Sequence, residues 1–96
     1  MVTHVVLAKP RTDTSLDQLQ TVFDQLKALQ TLIPEIQDIQ VGKSIGDHHQ
    51  GYVYGLIAHF ESVDTLHTYQ VHPAHVKVGK EINSLCEDVI VFDLAQ

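Results

Sequence analysis

Apolar residues recur along the chain in short runs, and these runs predict four strands. Residues 4–8 form an apolar run with β-branched residues, which predicts a first strand that Pro10 ends. Residues 36–42 and 52–60 predict two further strands, and residues 89–92 predict the last one. The lengths of these runs are typical of strands in globular proteins.

A helix is predicted between the first two strands. Ser15 and Gln18 match a capping box, in which the serine hydroxyl caps the helix start and the glutamine side chain reaches back. Apolar residues then recur at spacings of three and four, which gives one apolar face. The residues of this face are Leu16, Leu19, Phe23, Leu26 and Leu29. We expect the helix to end at or just before Pro34.

The second helical region is interrupted by a proline. Ser62 opens a helix whose predicted apolar face contains Val63, Leu66 and Tyr69. Proline disfavours a helical conformation in the preceding residue, His72, and prefers the first position of a new helix. We therefore predict a third helix from Pro73 to about Leu85, with His72 as a cap.

The order of elements is β-α-β-β-α-β, with its second helical region broken into two. This order is the split βαβ arrangement, so the sequence predicts an α+β, ferredoxin-like fold with a four-stranded antiparallel sheet. The chain has 96 residues, which is the length of one domain, residues 1–96.

Both faces of the predicted sheet are apolar, although one layer of helices covers only one of them. In the third strand, Leu56 and Phe60 lie on one face and Val53 and Ile57 on the other. A sheet with one face in water normally alternates apolar and polar residues. We therefore expect a homodimer formed through the open sheet face. The alternative is that a few exposed valines cost little in a monomer.

Composition narrows the range of partners and compartments. The net charge of −6, with histidines neutral, disfavours nucleic acid as a partner. No apolar run approaches the roughly 18 residues that span a membrane. The chain has one cysteine, Cys86, so no internal disulfide forms. These features predict a cytoplasmic protein that binds neither membrane nor nucleic acid, in which seven histidines are the first sign of chemistry.

Four segments together resemble the stress-responsive A/B barrel (Dabb) family. The segments are residues 4–7, 60–63, 69–75 and 89–93, and the resemblance covers nearly the whole chain. It implies a dimeric α+β barrel in which each sheet closes on its mate. Since this fold hosts several activities, the resemblance does not by itself imply one reaction.

The resemblance is greatest to a plant polyketide cyclase of that family, and it suggests functional residues. It implies that His75 is the catalytic histidine and Tyr69 the catalytic tyrosine, and that His4 is the histidine that opens the first strand. Tyr54 stands where the cyclase has a further pocket histidine, so this sequence departs from the cyclase there. A tyrosine does not serve as a neutral base at ordinary pH.

The residue types fit acid–base chemistry on a small molecule. His75 is the third residue of the predicted third helix, where the helix dipole disfavours imidazolium and leaves a neutral base. Tyr69 is suited to donate a hydrogen bond to a carbonyl or enolate oxygen. With His4 and Tyr54 as binding residues, we expect the four side chains to line a cavity between sheet and helices. The alternatives are a cap for His75, a core tyrosine for Tyr69 and a strand-end residue for His4.

Three functions remain open from the sequence. The first is a cyclase-like or lyase-like enzyme that acts on a poly-β-ketone or a similar apolar, oxygenated small molecule. The second is a non-catalytic, stress-responsive oligomer or ligand-binding protein, and the third is a cofactor-free monooxygenase. We expect no cofactor, because the sequence has no phosphate loop or dinucleotide fingerprint. We expect no metal site, because neither the pair His48–His49 nor the pair His72 and His75 has a cysteine or carboxylate beside it at a recognisable ligand spacing.

Overall fold

A single four-stranded antiparallel sheet organises the molecule, and a computed structural model describes all of it, residues 1–96. The strands are β1 (Val2–Pro10), β2 (Asp38–Lys43), β3 (Tyr54–Phe60) and β4 (Cys86–Ala95), and the helices are α1 (Leu16–Ala28), α2 (Val63–Val71) and α3 (Pro73–Leu85). The strand order is β2-β3-β1-β4. This is the ferredoxin-like arrangement that the order of elements predicts.

The helices pack on one face of the sheet and enclose the core there. Leu19, Phe23 and Leu26 of α1 are buried as predicted, whereas Leu16 at the helix start is exposed. Leu56 and Phe60 of β3 face the helices and are fully buried. The core therefore lies between one helix layer and one sheet face, as expected for a two-layer α+β domain.

Helix α1 ends earlier than the position of Pro34 suggests. It stops at Ala28 and continues as a 3₁₀ turn at Leu29–Thr31. The Thr31 hydroxyl donates to the Ala28 carbonyl at 2.9 Å, and the amides of Leu32 and Ile33 both donate to the Leu29 carbonyl. These bonds satisfy carbonyls at the helix end, so the helix closes without help from the proline.

The other sheet face is uncovered in a single chain. Ile57 at the centre of β3 is 45% exposed and Phe92 of β4 is 59% exposed. Leu7, Ile90 and Leu94 lie on the same face, since they pair in register with other residues of that face, and they are exposed too. We call these five residues the open apolar face. No helix in the molecule is long and apolar enough to cross a membrane.

Strand β4 is an edge strand that the helices do not fully cover on their own side. Val91 pairs with Val6 and Asp93 pairs with His4, so both lie on the helix side of the sheet. Val91 is nevertheless 53% exposed. The helix side of the sheet is therefore open at this edge, next to His4.

Helix α2 begins with a second capping box, which the sequence analysis did not identify. The Ser62 hydroxyl accepts from the Thr65 amide at 3.2 Å, and the Thr65 hydroxyl accepts from the Ser62 amide at 3.1 Å. We expect Ser62→Ala to lower the free energy of unfolding by about 1 kcal/mol, because a helix amide loses its acceptor. Chemical denaturation measures this change.

Ser84→Ala is the matched control for that prediction. The Ser84 hydroxyl only donates to the Glu81 carbonyl at 2.7 Å on the exposed surface of α3. We expect its replacement to change stability by no more than about 0.5 kcal/mol. Equal losses in the two serine variants would contradict the capping role of Ser62.

Candidate functional site

The break between α2 and α3 builds the centre of the candidate site. His72 is both the C-cap of α2 and the N-cap of α3, and its backbone is extended, with φ −62° and ψ 133°. The His72 ring nitrogen Nδ1 accepts from the Ala74 amide at 3.1 Å. Pro73 occupies the first helical position, where its missing amide costs nothing. The predicted cap and the predicted start of α3 are thus both confirmed.

This corner brings the rings of Tyr69 and His75 together. Residues six positions apart on one straight helix lie about 120° apart around its axis and about 9 Å apart along it. Here the two ring centroids are 4.3 Å apart, with the planes tilted by 48°. The two residues that the resemblance identifies therefore form a direct contact because the helix is broken between them.

The hydrogen bond of His75 defines which ring nitrogen is available. Nδ1 lies 3.0 Å from the Gln70 carbonyl oxygen, which accepts only, so Nδ1 carries the proton and donates. Nε2 then holds the lone pair and makes no hydrogen bond within the chain. Burial lowers the pKa of His75 below its ordinary value. The hydrogen bond to the Gln70 carbonyl acts in the opposite direction, and a positive charge on His4 or His72 acts in the same direction as burial. His75 is therefore a neutral imidazole at pH 7, and burial is the main cause.

Tyr69 is a neutral phenol held within the core. It is only 1% exposed, and burial raises its pKa well above the ordinary value for tyrosine. Its hydroxyl makes no hydrogen bond within the chain. Since every fully buried side-chain nitrogen or oxygen has a partner, this hydroxyl keeps a contact with solvent. It is suited to donate to an oxygen of a ligand.

His4 also packs against the Tyr69 ring. It is 3% exposed, and its ring centroid lies 6.0 Å from that of Tyr69 in an edge-to-face arrangement. His4 Nδ1 is hydrogen-bonded to the carboxylate of Asp93 on the neighbouring strand. The sequence analysis missed Asp93, because only the register of β1 against β4 places it opposite His4.

Tyr54 is not part of this cluster. It shares the helix-side face with His4, but it pairs with Ala8 whereas His4 pairs with Ala58. Four positions along a strand correspond to about 13 Å. Tyr54 packs against the ring of Phe23, with centroids 5.0 Å apart, and burial raises its pKa. The structure thus brings together three of the four predicted side chains.

Two concave regions of the chain lie away from the cluster. The larger, of about 660 Å³, lies over the open apolar face and beneath the β2–β3 loop, and it is lined by Leu7, Ile57 and Tyr54 among others. A smaller one, of about 340 Å³, lies between α1 and α3. His4, Tyr69 and His75 line neither of them. The opening of the helix side of the sheet at β4 lies next to His4 of the cluster.

The chemistry of the cluster is that of acid–base catalysis with a hydrogen-bond donor. Two imidazoles and one phenol converge, and the nearest carboxylate is already bonded to His4. No group of three histidine, cysteine, aspartate or glutamate side chains is placed to hold a metal ion. Proton transfer and polarisation of a carbonyl are the reactions that these groups support.

Comparisons with known proteins agree on the fold. The family model described as "Stress responsive A/B Barrel Domain" matches residues 2–96. Olivetolic acid cyclase of Cannabis sativa is 31% identical over 94 residues, which cover 96% of this chain and 93% of the cyclase. A crystal structure of an Arabidopsis thaliana protein matches with a TM-score of 0.89 at 28% identity, covering 100% of this chain and 95% of that one.

A second solved structure bears on the oligomeric state. A dimeric protein of unknown function with a ferredoxin-like fold from Bacteroides fragilis matches with a TM-score of 0.80 at 28% identity. The match covers 99% of this chain and 95% of that one. The predicted ferredoxin-like fold is thus confirmed.

Proposed function

Since this chain belongs to the stress-responsive A/B barrel domain family, we propose that it is a dimeric, cyclase-like or lyase-like enzyme for small, apolar, oxygenated carbonyl compounds. The observation that carries the proposal is the contact between neutral His75, whose Nε2 is free, and protonated Tyr69. The 31% sequence identity to olivetolic acid cyclase supports the same chemistry.

The first chemical step is removal of an acidic proton. His75 Nε2 takes a proton from a methylene group that two carbonyls flank, and the electron pair of the C–H bond becomes an enolate. Tyr69 donates a hydrogen bond to the enolate oxygen, which stabilises the charge as it develops. The buried setting of Tyr69 strengthens this bond, because water competes poorly there.

An aldol-type closure completes the reaction. The enolate carbon attacks a second carbonyl carbon of the same molecule, and the carbonyl oxygen becomes an alkoxide. The imidazolium of His75 then returns its proton to that oxygen, so the histidine ends the cycle neutral. A linear poly-β-ketone supplies both the acidic methylene and the second carbonyl within one chain.

The assembly is part of the proposal. The open apolar face offers a continuous surface to a second copy, and a relative of 28% identity is described as dimeric. Sheet-against-sheet packing of two chains buries both faces at once. We expect this contact to cover the larger concave region over that face and to close the sheets into the α+β barrel.

A non-catalytic, ligand-binding protein is the second candidate function. The observation that favours it is that His4, Tyr69 and His75 line neither of the two concave regions of the single chain. The departure at Tyr54 is compatible with it as well, because Tyr54 packs on Phe23 away from the cluster. On this alternative, the side chains of the cluster are packed core residues, and the protein forms an oligomer or binds a ligand elsewhere on its surface without converting it.

The enzyme proposal is tested with a linear poly-β-ketoacyl thioester as substrate. We expect the wild-type protein to yield a carbocyclic aldol product above the spontaneous background, measured by liquid chromatography and mass spectrometry. Tyr69→Phe is expected to lower kcat/KM by about 10- to 100-fold, because one donor to the enolate oxygen is lost while the ring packing remains.

Tyr52→Phe is the matched control for that variant. Tyr52 carries its hydroxyl at the surface, where it donates to Asp88, far from the corner of α2 and α3. We expect its turnover to equal that of the wild type. A wild-type protein that binds the thioester but forms no product above background would rule out the enzyme and favour the binding protein.

A further inference from the structure

Three polar atoms of the cluster have no partner within the chain. They are Nε2 of His4, the hydroxyl of Tyr69 and Nε2 of His75, since each histidine uses Nδ1 for its own hydrogen bond. No fully buried side-chain nitrogen or oxygen of the protein lacks a partner. These three atoms therefore keep contact with solvent and are able to form hydrogen bonds to a bound molecule.

The bond to Asp93 decides what His4 offers to that molecule. A carboxylate only accepts, so the proton of neutral His4 resides on Nδ1 and the lone pair on Nε2. The ring is 3% exposed and packs edge-on against Phe60 and Tyr69, with centroid distances of 6.2 and 6.0 Å. Asp93 thus fixes both the tautomer and the orientation of His4.

We propose that Asp93 is a positioning residue that presents His4 Nε2 as a hydrogen-bond acceptor for an enol hydroxyl of the substrate. This inference rests on the proposed function and deepens it by naming the form of the substrate that binds. Asp93 itself touches no substrate and acts through His4.

The three groups together match one functional group. The Tyr69 ring packs against both histidines, with ring centroids 6.0 Å from His4 and 4.3 Å from His75. The cluster therefore offers one donor and two acceptors. Its complement is an enol hydroxyl, a carbonyl oxygen and an acidic C–H group, which are the groups of a β-dicarbonyl in its enol form with a further acidic methylene.

A second histidine–aspartate pair in the same sheet provides an internal control. His59 Nδ1 lies 3.4 Å from the Asp38 carboxylate on the opposite face of the sheet, where both side chains are substantially exposed. This pair has the same two residue types on neighbouring strands, but it contacts neither Tyr69 nor His75. The substitution Asp38→Asn therefore makes the same chemical change as Asp93→Asn, but at a pair that lies away from the cluster.

The first measurement is the tautomer of His4 by ¹⁵N NMR, with its resonances assigned by their loss in a His4→Gln variant. We expect the proton on Nδ1 in the wild-type protein at pH 7.5. In Asp93→Asn the amide nitrogen can donate to Nδ1 and move the proton to Nε2. A wild-type His4 that carries its proton on Nε2 overturns the proposal.

The second measurement is binding of two diketones that differ by two methyl groups on the carbon between the carbonyls, so that only one of them forms the enol there. The probes are 2,4-nonanedione, which enolises between its carbonyls, and 3,3-dimethyl-2,4-nonanedione, which has no proton there. We expect the wild-type protein to bind the first about tenfold more tightly by calorimetry, the effect of one hydrogen bond. Asp93→Asn and Asp93→Ala should reduce this preference to about one, and Asp38→Asn should retain it.

The outcomes separate this inference from the proposed function. Equal affinity for the two diketones in the wild-type protein overturns the inference, and so does a tenfold preference that survives in both Asp93 variants. Loss of the preference in Asp38→Asn overturns it as well, because the effect would not be specific to the cluster. A His75 variant that retains full turnover defeats the enzyme proposal instead, and it leaves the tautomer and the diketone preference unchanged.

Discussion

Replacing His75 with glutamine is expected to lower kcat for ring closure by about 10²- to 10⁴-fold. The variant removes the general base while an amide retains much of the volume beside Tyr69. Because the ring of His75 packs at 4.3 Å from that of Tyr69, removal of the whole side chain would also disturb the donor. Steady-state kinetics with the poly-β-ketoacyl thioester measure the effect.

The pH dependence supplies a second measurement for the same residue. The base acts only when neutral, and burial lowers the pKa of His75 from its ordinary value. We therefore expect kcat/KM to be level through neutral pH and to fall as pH drops through a midpoint below about 6.5. The acid limb should disappear from the residual activity of His75→Gln.

His67→Gln is the matched control, since His67 lies exposed on α2 one turn away from the corner. We expect its rate and pH profile to match those of the wild-type protein. Turnover of His75→Gln within threefold of the wild type would remove His75 from the role of base.

Introducing a charge at Ile57 is expected to separate the two chains. Ile57 is 45% exposed at the centre of the open apolar face, where it pairs with Val5 and Gln40 on the neighbouring strands. A glutamate buried there between two sheets would lack a partner, and the symmetry of the dimer would place two such charges in one interface. We expect Ile57→Glu to raise the dissociation constant at least about 100-fold.

Analytical ultracentrifugation over a range of concentrations measures this constant. Val63→Glu is the matched control, because Val63 is also an exposed apolar residue but lies on α2 and not on the sheet. We expect it to remain dimeric. A wild-type protein that sediments as a monomer in dilute solution, or an Ile57→Glu variant that stays dimeric, would refute the proposed interface.

Local signals in the sequence predict most of the fold. Proline at position 73 specifies the start of α3, and the capping box at Ser15 specifies the start of α1. The prediction for β4 is too short, because the strand continues from residues 89–92 into polar positions such as Asp93. Pairing with β1 uses backbone groups, so the strand extends wherever its neighbour continues, whatever the side chains are.

Only the part of the candidate site that is formed by residues close together in the sequence is predictable. Tyr69 and His75 meet across a corner that the sequence marks with a proline. The bond of His4 to Asp93 depends on the register between the first and last strands, which periodicity does not reveal. The expectation that Tyr54 joins the cluster is a related misjudgement, because residues that share a sheet face are not necessarily neighbours. The prediction for Val63 is also wrong. The spacing places it on the apolar face of α2, but in this short helix its side chain is exposed.

The corner at His72 also has a consequence for how the site assembles during folding. Tyr69 and His75 lie close in sequence, so the loop entropy lost in bringing them together is small. His4 and Asp93 come from opposite ends of the chain and meet only when β4 docks beside β1. Contacts of long sequence separation generally form late. The tyrosine–histidine half of the site is therefore expected to exist before the histidine–aspartate half, and the complete set of four residues comes together only when the last strand closes the sheet.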